Sequence, residues 1–184
     1  MKETASQTAG PYLHIGLLPN VAGLPMYNGT DPGAALVTGP TDAARITLTL
    51  RIFDGAGDAV TDAMVEIWQA DGAGHIPSQD ADFTGWGRAT ADPETGLIRF
   101  ETVKPGPVAG QAPHVTLWIA ARGINLALHT RAYFAGDDGQ DTDPVLSRID
   151  PPARRETLMA RQDGDTWHLD IRLQGDAETV FLDI

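Results

Sequence analysis

Cysteine is absent from this sequence of 184 residues, which excludes disulfides and cysteine-based zinc sites. No apolar run approaches the roughly 20 residues that a membrane-spanning helix requires. The first residues, MKETASQTAG, contain no apolar segment of the kind that forms the centre of a secretory signal. We therefore expect a cytoplasmic protein that has no contact with a membrane.

Positive charge is scarce. Thirteen lysine and arginine residues stand against 25 aspartate and glutamate residues, for a formal net charge of −12. Such a field repels a phosphate backbone, so nucleic acid is not expected as a partner. An anionic small molecule that binds this chain must find a local arginine or lysine.

Helical periodicity is also rare, whereas alternation of apolar and polar residues is frequent. Ile46, Leu48 and Leu50, for example, alternate with threonines, as in a half-buried strand. Short segments of this kind recur between turns rich in glycine and aspartate, a pattern typical of an antiparallel β-sandwich. The predicted strands are 46–52, 63–69, 86–90, 97–103, 112–121, 126–134, 167–173 and 179–184.

The fold class predicted is therefore all-β, an antiparallel sandwich forming a single domain over residues 1–184. One or two short helices are expected near residues 145–161, at 145–149 and 153–161, the second of them starting after Pro151 and Pro152. Residues 1–45 carry weak periodicity and many turn-forming residues. Their interleaved apolar side chains indicate an irregular arm that packs on another chain.

Residues 112–134 predict a hairpin that turns near Gly123 and Asn125. Because side chains alternate across a strand, His129, Arg131 and Tyr133 should point away from the apolar face of Leu126, Leu128, Thr130, Ala132 and Phe134. His114, Thr116 and Trp118 share one face of the preceding strand. This polar face is either the wall of a site or an ordinary solvated face, and the spacing does not separate the two.

The five histidines, His14, His75, His114, His129 and His168, form no His-x-His pair and no helical His-Glu-x-x-His motif. On a strand, the His-x-His pattern would place two imidazoles on one face about 7 Å apart, as many metal sites require. Here that pattern is His114-Val115-Thr116, so only one ligand is present. No nucleophile elbow, phosphate-binding loop or dinucleotide fingerprint occurs either.

Several segments together resemble the intradiol ring-cleavage dioxygenases, in order and over nearly the whole chain. They are SQTAGPY (6–12), VEIWQAD (65–71), GWGR (85–88), VKPGP (103–107) and APH (112–114). Four more resemble the non-catalytic chain of those members that contain two kinds of chain. They are ARGIN (121–125), HTRAYF (129–134), RRETL (154–158) and QGDAETVF (174–181).

The resemblance implies that catalytic chains of this family bind Fe(III) through two tyrosinates and a His-x-His pair. At the corresponding positions this chain has Ile76, Val108, His114 and Thr116. Isoleucine and valine have no donor atom, and threonine is a poor ligand for Fe(III) beside tyrosinate or imidazole. The resemblance therefore implies no metal site on this chain, with the iron bound by a partner chain of the same fold.

The same resemblance implies that this chain completes the mouth of the partner's active site and helps to bind a small aromatic acid that reacts with O2. The residues implied are Thr8, Gly10, Pro11, Tyr12 and Arg131. Two alternatives remain open at this point. One is a self-sufficient metalloenzyme that uses His75, His114, His129 and Tyr133, and the other is a transthyretin-like sandwich that only binds or assembles.

Overall fold

Eight strands form one continuous sheet within residues 8–183, the part of the chain that the computed structural model describes. The strands are β1 Arg45–Phe53, β2 Met64–Gln69, β3 Trp86–Thr90, β4 Leu97–Val103, β5 His114–Ala120, β6 Leu128–Phe134, β7 Met159–Asp163 and β8 Thr166–Arg172. Their order across the sheet is β3-β2-β5-β6-β7-β8-β1-β4. In the same residues no helix has the length and apolarity needed to cross a membrane.

The sheet folds back on itself into a nearly closed, barrel-like sandwich, so that the edge strands β3 and β4 approach each other. Each strand buries one face, as the alternation predicted. Leu48 and Leu50 of β1 pack in one cluster with Ile67 of β2 and Leu117 of β5. Across this core the Gln69 side chain accepts a hydrogen bond from Thr102 of β4, which joins the two halves of the sheet.

The predicted antiparallel arrangement holds for most neighbouring strands but is wrong for two of the strand pairs. β1 runs parallel to β8, and β6 runs parallel to β7. Period-two alternation reports which residues are buried but carries no information on the direction of the neighbouring strand. The predicted last strand is also wrong, since residues 179–183 form none and residue 184 lies outside the described part.

Short helices occur near residues 145–161 as predicted, at Leu146–Arg148 and Pro152–Leu158, but they are 3-10 helices. The predicted helix at 153–161 extended too far, because β7 starts at Met159. Further 3-10 helices lie at Tyr27–Gly29 and Gln140–Thr142. Pro152 stands in the first turn of the longer helix, where a missing N–H costs no hydrogen bond.

The N-terminal segment is more ordered than an irregular arm. An α-helix, α1 Pro11–Leu17, begins after Gly10 with proline in its first turn. Beyond it, Leu18 and Leu36 are buried, and the Asp31 carboxylate accepts hydrogen bonds from the backbone of Asn20 and Val21. Residues 18–37 therefore belong to the folded body, and residues 8–17 lie against its surface.

Candidate functional site on the outer face of the sheet

The outer face is the side of β3, β2, β5 and β6 that points away from the core. Strand register arranges its side chains in rows. One row contains Trp86, Trp68, Thr116 and Arg131, and the next contains Arg88, Glu66, Trp118 and His129. His114 lies opposite Tyr133 at one end, with ring centroids 5.5 Å apart. The predicted polar face of the hairpin therefore exists, although β6 starts at Leu128 and Leu126 is exposed.

Arg131 is half-buried in the middle of this face. Its NH1 group donates to the Gln111 side-chain oxygen at 2.6 Å and to the Tyr133 hydroxyl at 3.1 Å. Both acceptors are neutral, so no carboxylate of the described residues compensates the charge through these contacts. Its Nε is buried and has no hydrogen-bond partner among residues 8–183. Leaving a buried donor unpaired costs about 1–3 kcal/mol, so the position of this side chain carries a cost that its NH1 contacts offset only in part.

Tyr133 connects Arg131 to a buried carboxylate. The phenol accepts the bond from Arg131 and donates to Asp143 Oδ1 at 3.3 Å. The Asp143 carboxylate, fully buried, also accepts backbone N–H groups from Ala112, Val145 and Leu146. Burial raises the pKa of Tyr133 to about 12, so the phenol keeps the proton that it donates.

Gln111 reaches Arg131 because a tight turn precedes it. Val108 and Gln111 exchange backbone hydrogen bonds, at 2.8 and 3.2 Å. Between them Ala109 and Gly110 have φ of 47° and 79°, the positive values that two-residue hairpin turns use. A non-glycine residue rarely adopts such a φ, so the turn is held by its surroundings. It fixes where the Gln111 side chain starts.

The positions implied as iron ligands lie in adjoining segments at one end of β2 and β5. The loop after β2, which carries Ile76, packs against residues 105–108, because the Gly106 N–H donates to the Asp71 carbonyl at 2.8 Å. A Cβ added at Gly74 would lie 2.2 Å from the Pro107 carbonyl oxygen. β5, which carries Thr116, pairs with β2 through Trp68. The side chains of Ile76 and Val108 are hydrocarbon, so this set does not fit Fe(III).

Asp71 holds the loop that carries Ile76. Its carboxylate accepts backbone N–H groups from Ala73, His75 and Gln79. Burial opposes its ionisation, but the hydrogen bonds of His75 and Gln79 outweigh that effect and lower the pKa of Asp71 to about 2. The buried Asp71 carboxylate therefore organises the loop, and the backbone N–H groups that stabilise its negative charge belong to the same loop.

The histidines do not assemble into a site. The half-buried His114 Nδ1 lies 2.8 Å from the Ala112 carbonyl, and burial lowers the pKa of its imidazole. His129 lies four residues from Tyr133 on β6, roughly 13 Å along the strand. His75 is bound to Asp71 instead. Among residues 8–183 no group of three or more His, Asp or Glu side chains could hold a metal ion.

The structure does not bring the predicted arm residues together with Arg131. The Thr8 hydroxyl accepts the Gly123 N–H at 2.7 Å, at the turn of the hairpin. His14 of α1 bonds to Thr90, and the Arg88 guanidinium donates to the Leu17 carbonyl. The arm therefore crosses the row of Arg88 and the row beyond it, roughly 7 and 13 Å from the row of Arg131 along the strands.

The remaining arm residues are open to solvent. Gly10 has open space where a Cβ would stand, Pro11 begins α1, and Tyr12 is 86% exposed. These residues and Arg131 form two separate parts of one face of the chain.

A dioxygenase family model matches residues 26–175. The chain belongs to the intradiol dioxygenase family. The matched residues include β2, β3, β5 and β6, whose outer face is described above, and also the positions Ile76, Val108 and Thr116.

Individual relatives agree with this membership. The protocatechuate 3,4-dioxygenase alpha chain of Pseudomonas putida is 43% identical over 199 aligned positions, which cover 100% of this chain and 97% of the relative. The beta chain of that enzyme from Burkholderia cepacia is 32% identical, covering 77% of this chain and 69% of the relative. The solved dioxygenase domain of a carbohydrate-binding fusion protein from Streptomyces sp. SirexAA-E is 25% identical, with a TM-score of 0.62 over 81% of this chain and 89% of that one.

Sequence reasoning missed Gln111 and Asp143 as neighbours of Arg131. Asp143 lies in an acidic loop before Pro144, where an aspartate is expected for turn formation alone. Gln111 adjoins the segment APH but shows no pattern of its own. The contacts arise because β6 and the turn at 108–111 meet in space, which no spacing within the sequence reveals.

Proposed function

We propose that this chain is the iron-free alpha subunit of a protocatechuate 3,4-dioxygenase. It completes the active site of a beta chain that carries Fe(III) and cleaves the catechol ring between its two hydroxyls with O2. The proposal extends to an assembly of paired alpha and beta chains. It rests on the likeness to alpha chains along the full length and on the side chains at the ligand positions.

The observation that carries the proposal is the state of Arg131. Its guanidinium is half-buried, and within residues 8–183 it contacts only neutral acceptors and its buried Nε has no partner. A substrate of the alpha chain's relatives, by their name, is protocatechuate. That compound is a carboxylated catechol, hence an anion, and the planar fork of arginine matches a carboxylate. In a chain of net charge −12, a local arginine is what an anionic substrate requires.

The arm forms the second part of the proposed interface between the two chains. In this proposal Thr8, Gly10, Pro11 and Tyr12 pack on the beta chain. Exposed large apolar side chains are concentrated in this segment and the residues after it, which supports docking. They are Tyr12, Ile15, Val21, Leu24, Met26 and Tyr27. The single folded domain 1–184 and a cytoplasmic location remain predictions.

The two alternatives make different demands. A self-sufficient metalloenzyme needs its ligands within one coordination sphere, and the histidines described above stand apart. A transthyretin-like sandwich that only assembles would need no arginine at the interface with the beta chain. Under this alternative, replacing Arg131 would leave turnover of the complex unchanged, provided that the complex still assembles.

Reconstitution tests the proposal. The chain and its beta partner are purified separately, and ring cleavage of 3,4-dihydroxybenzoate is followed for each and for the mixture. We expect no turnover by this chain, and turnover by the mixture well above that of the beta chain. A beta chain that works equally well alone would contradict the proposal.

A further inference from the structure

Arg131 is held by its own chain in one particular way. Both contacts use NH1, which lies on the side of the guanidinium away from the Nε–H. Nε is buried without a partner among residues 8–183, and no hydrogen bond within that range uses NH2. The two acceptors thus fix the group through NH1 and leave NH2 uncommitted, as a donor for a charge-assisted hydrogen bond.

The acceptors themselves are rigid. Tyr133 is fully buried, packed beside Leu146 and Leu158, and its hydroxyl is oriented by the buried Asp143. Gln111 follows a turn closed by two backbone hydrogen bonds. Because both partners are fixed by packing or by backbone bonding, little freedom remains for the Arg131 head group. A flexible surface arginine would have to be ordered each time a ligand binds.

We propose that Gln111 and Tyr133 are positioning residues for Arg131, and that the hydrogen-bonded series Asp143–Tyr133–Arg131 holds the guanidinium where NH2 can donate to the carboxylate of the substrate. This inference rests on the proposed function, because it assumes that Arg131 meets the substrate. It adds the residues that set the discrimination between carboxylated and uncarboxylated catechols. Neither Gln111 nor Tyr133 touches the substrate in this account.

A double-mutant cycle in the reconstituted complex tests it. Tyr133→Phe and Gln111→Leu are each made with Arg131 present and in the Arg131→Ala background, with iron content and assembly measured first. The substrates are 3,4-dihydroxybenzoate and catechol. Arg99→Ala is the matched control, because Arg99 is an exposed arginine of β4 that forms an ion pair with Glu101.

We expect each positioning variant to lower kcat/KM for 3,4-dihydroxybenzoate about three- to tenfold, and to leave kcat/KM for catechol within twofold. In the Arg131→Ala background the same substitutions should change nothing further, because the group that they position is gone. Arg99→Ala should resemble the unaltered complex. Equal losses on both substrates would indicate a structural role and overturn the inference.

The outcomes separate the inference from the proposal beneath it. If Arg131→Ala itself leaves kcat/KM for 3,4-dihydroxybenzoate unchanged, the substrate role of Arg131 fails. If Arg131→Ala lowers it while Gln111→Leu and Tyr133→Phe do not, only the positioning inference fails. Should Tyr133→Phe disturb folding, Gln111→Leu carries the decision alone, since Gln111 lies on a turn outside the core.

Discussion

At the scale of single residues, the effect of replacing Arg131 distinguishes a substrate-binding arginine from an ordinary surface charge. An exposed ion pair is worth about 0–1 kcal/mol, so a surface arginine could be removed without effect on catalysis. A charge-assisted hydrogen bond in a partly desolvated site is worth about 1.5–3 kcal/mol. Arg131→Ala should therefore lower kcat/KM of the assembled complex roughly ten- to a hundredfold in steady-state kinetics. A value within twofold of the unaltered complex would mean that Arg131 is only surface charge.

Arg131→Lys should recover only part of that loss. An ammonium is a point charge, whereas the guanidinium can donate to Gln111 and Tyr133 and still offer a planar edge. We expect kcat/KM to fall between the values of the unaltered complex and of Arg131→Ala. Full activity of Arg131→Lys would show that charge alone suffices, and that the shape of the donor group is irrelevant.

Asp71 allows a test of stability against pH. The folded state lowers its pKa to about 2, below the ordinary value of 3.8, so the carboxylate stabilises the fold above pH 4. That contribution, about 2 kcal/mol, decreases as the pH falls from about 4 to 2. Urea unfolding should show Asp71→Asn destabilised by about 2 kcal/mol at pH 7 and by about half as much at pH 3. Equal differences at both pH values would refute the ionic contribution of Asp71.

At the scale of elements, the N-terminal arm should matter for pairing and little for folding. Deletion of residues 1–12 removes the bond between Thr8 and Gly123 and the first turn of α1, but leaves the buried Leu18. We expect an unchanged circular dichroism spectrum and a weaker association with the beta chain on dilution in analytical ultracentrifugation. Deletion of residues 1–7 is the matched control and should retain the affinity. Unaltered pairing and kinetics after the longer deletion would contradict a docking role.

Strand positions were largely predictable from the sequence because burial on one face imposes alternation. β3 and β4 match the prediction to the residue, and β1 and β8 shift by only one at either end. The parallel pairs and β7 were not predictable, since direction and partner choice are set by contacts between distant segments. Alternation along the strand was enough to assign Arg131 to the outer face. Its hydrogen bonds to Gln111 and Tyr133 could not be predicted, because they depend on how the side chains meet in the folded chain.

At the scale of the whole molecule, the side chains of this chain differ from the iron-binding pattern that the family resemblance implies. Three of the four positions that the family resemblance links to iron, all except His114, carry hydrocarbon or weakly ligating side chains, while β6 carries an arginine on neutral acceptors. In the proposed function the fold supplies a rigid frame that presents Arg131 to a second chain. Similarity to both alpha and beta chains is consistent with pairing of two chains built on one plan.

The central claim, that this chain assists an iron-bearing partner without binding iron itself, is tested most directly by metal analysis of the chain purified alone after expression with iron. Iron per chain is measured together with the visible absorption spectrum, and the beta chain purified alone serves as the positive control. We predict iron far below one per chain and no tyrosinate-to-iron charge-transfer band, because Ile76 and Val108 offer no donor atom. A coloured preparation with one iron per chain and ring-cleaving activity of its own would contradict the account.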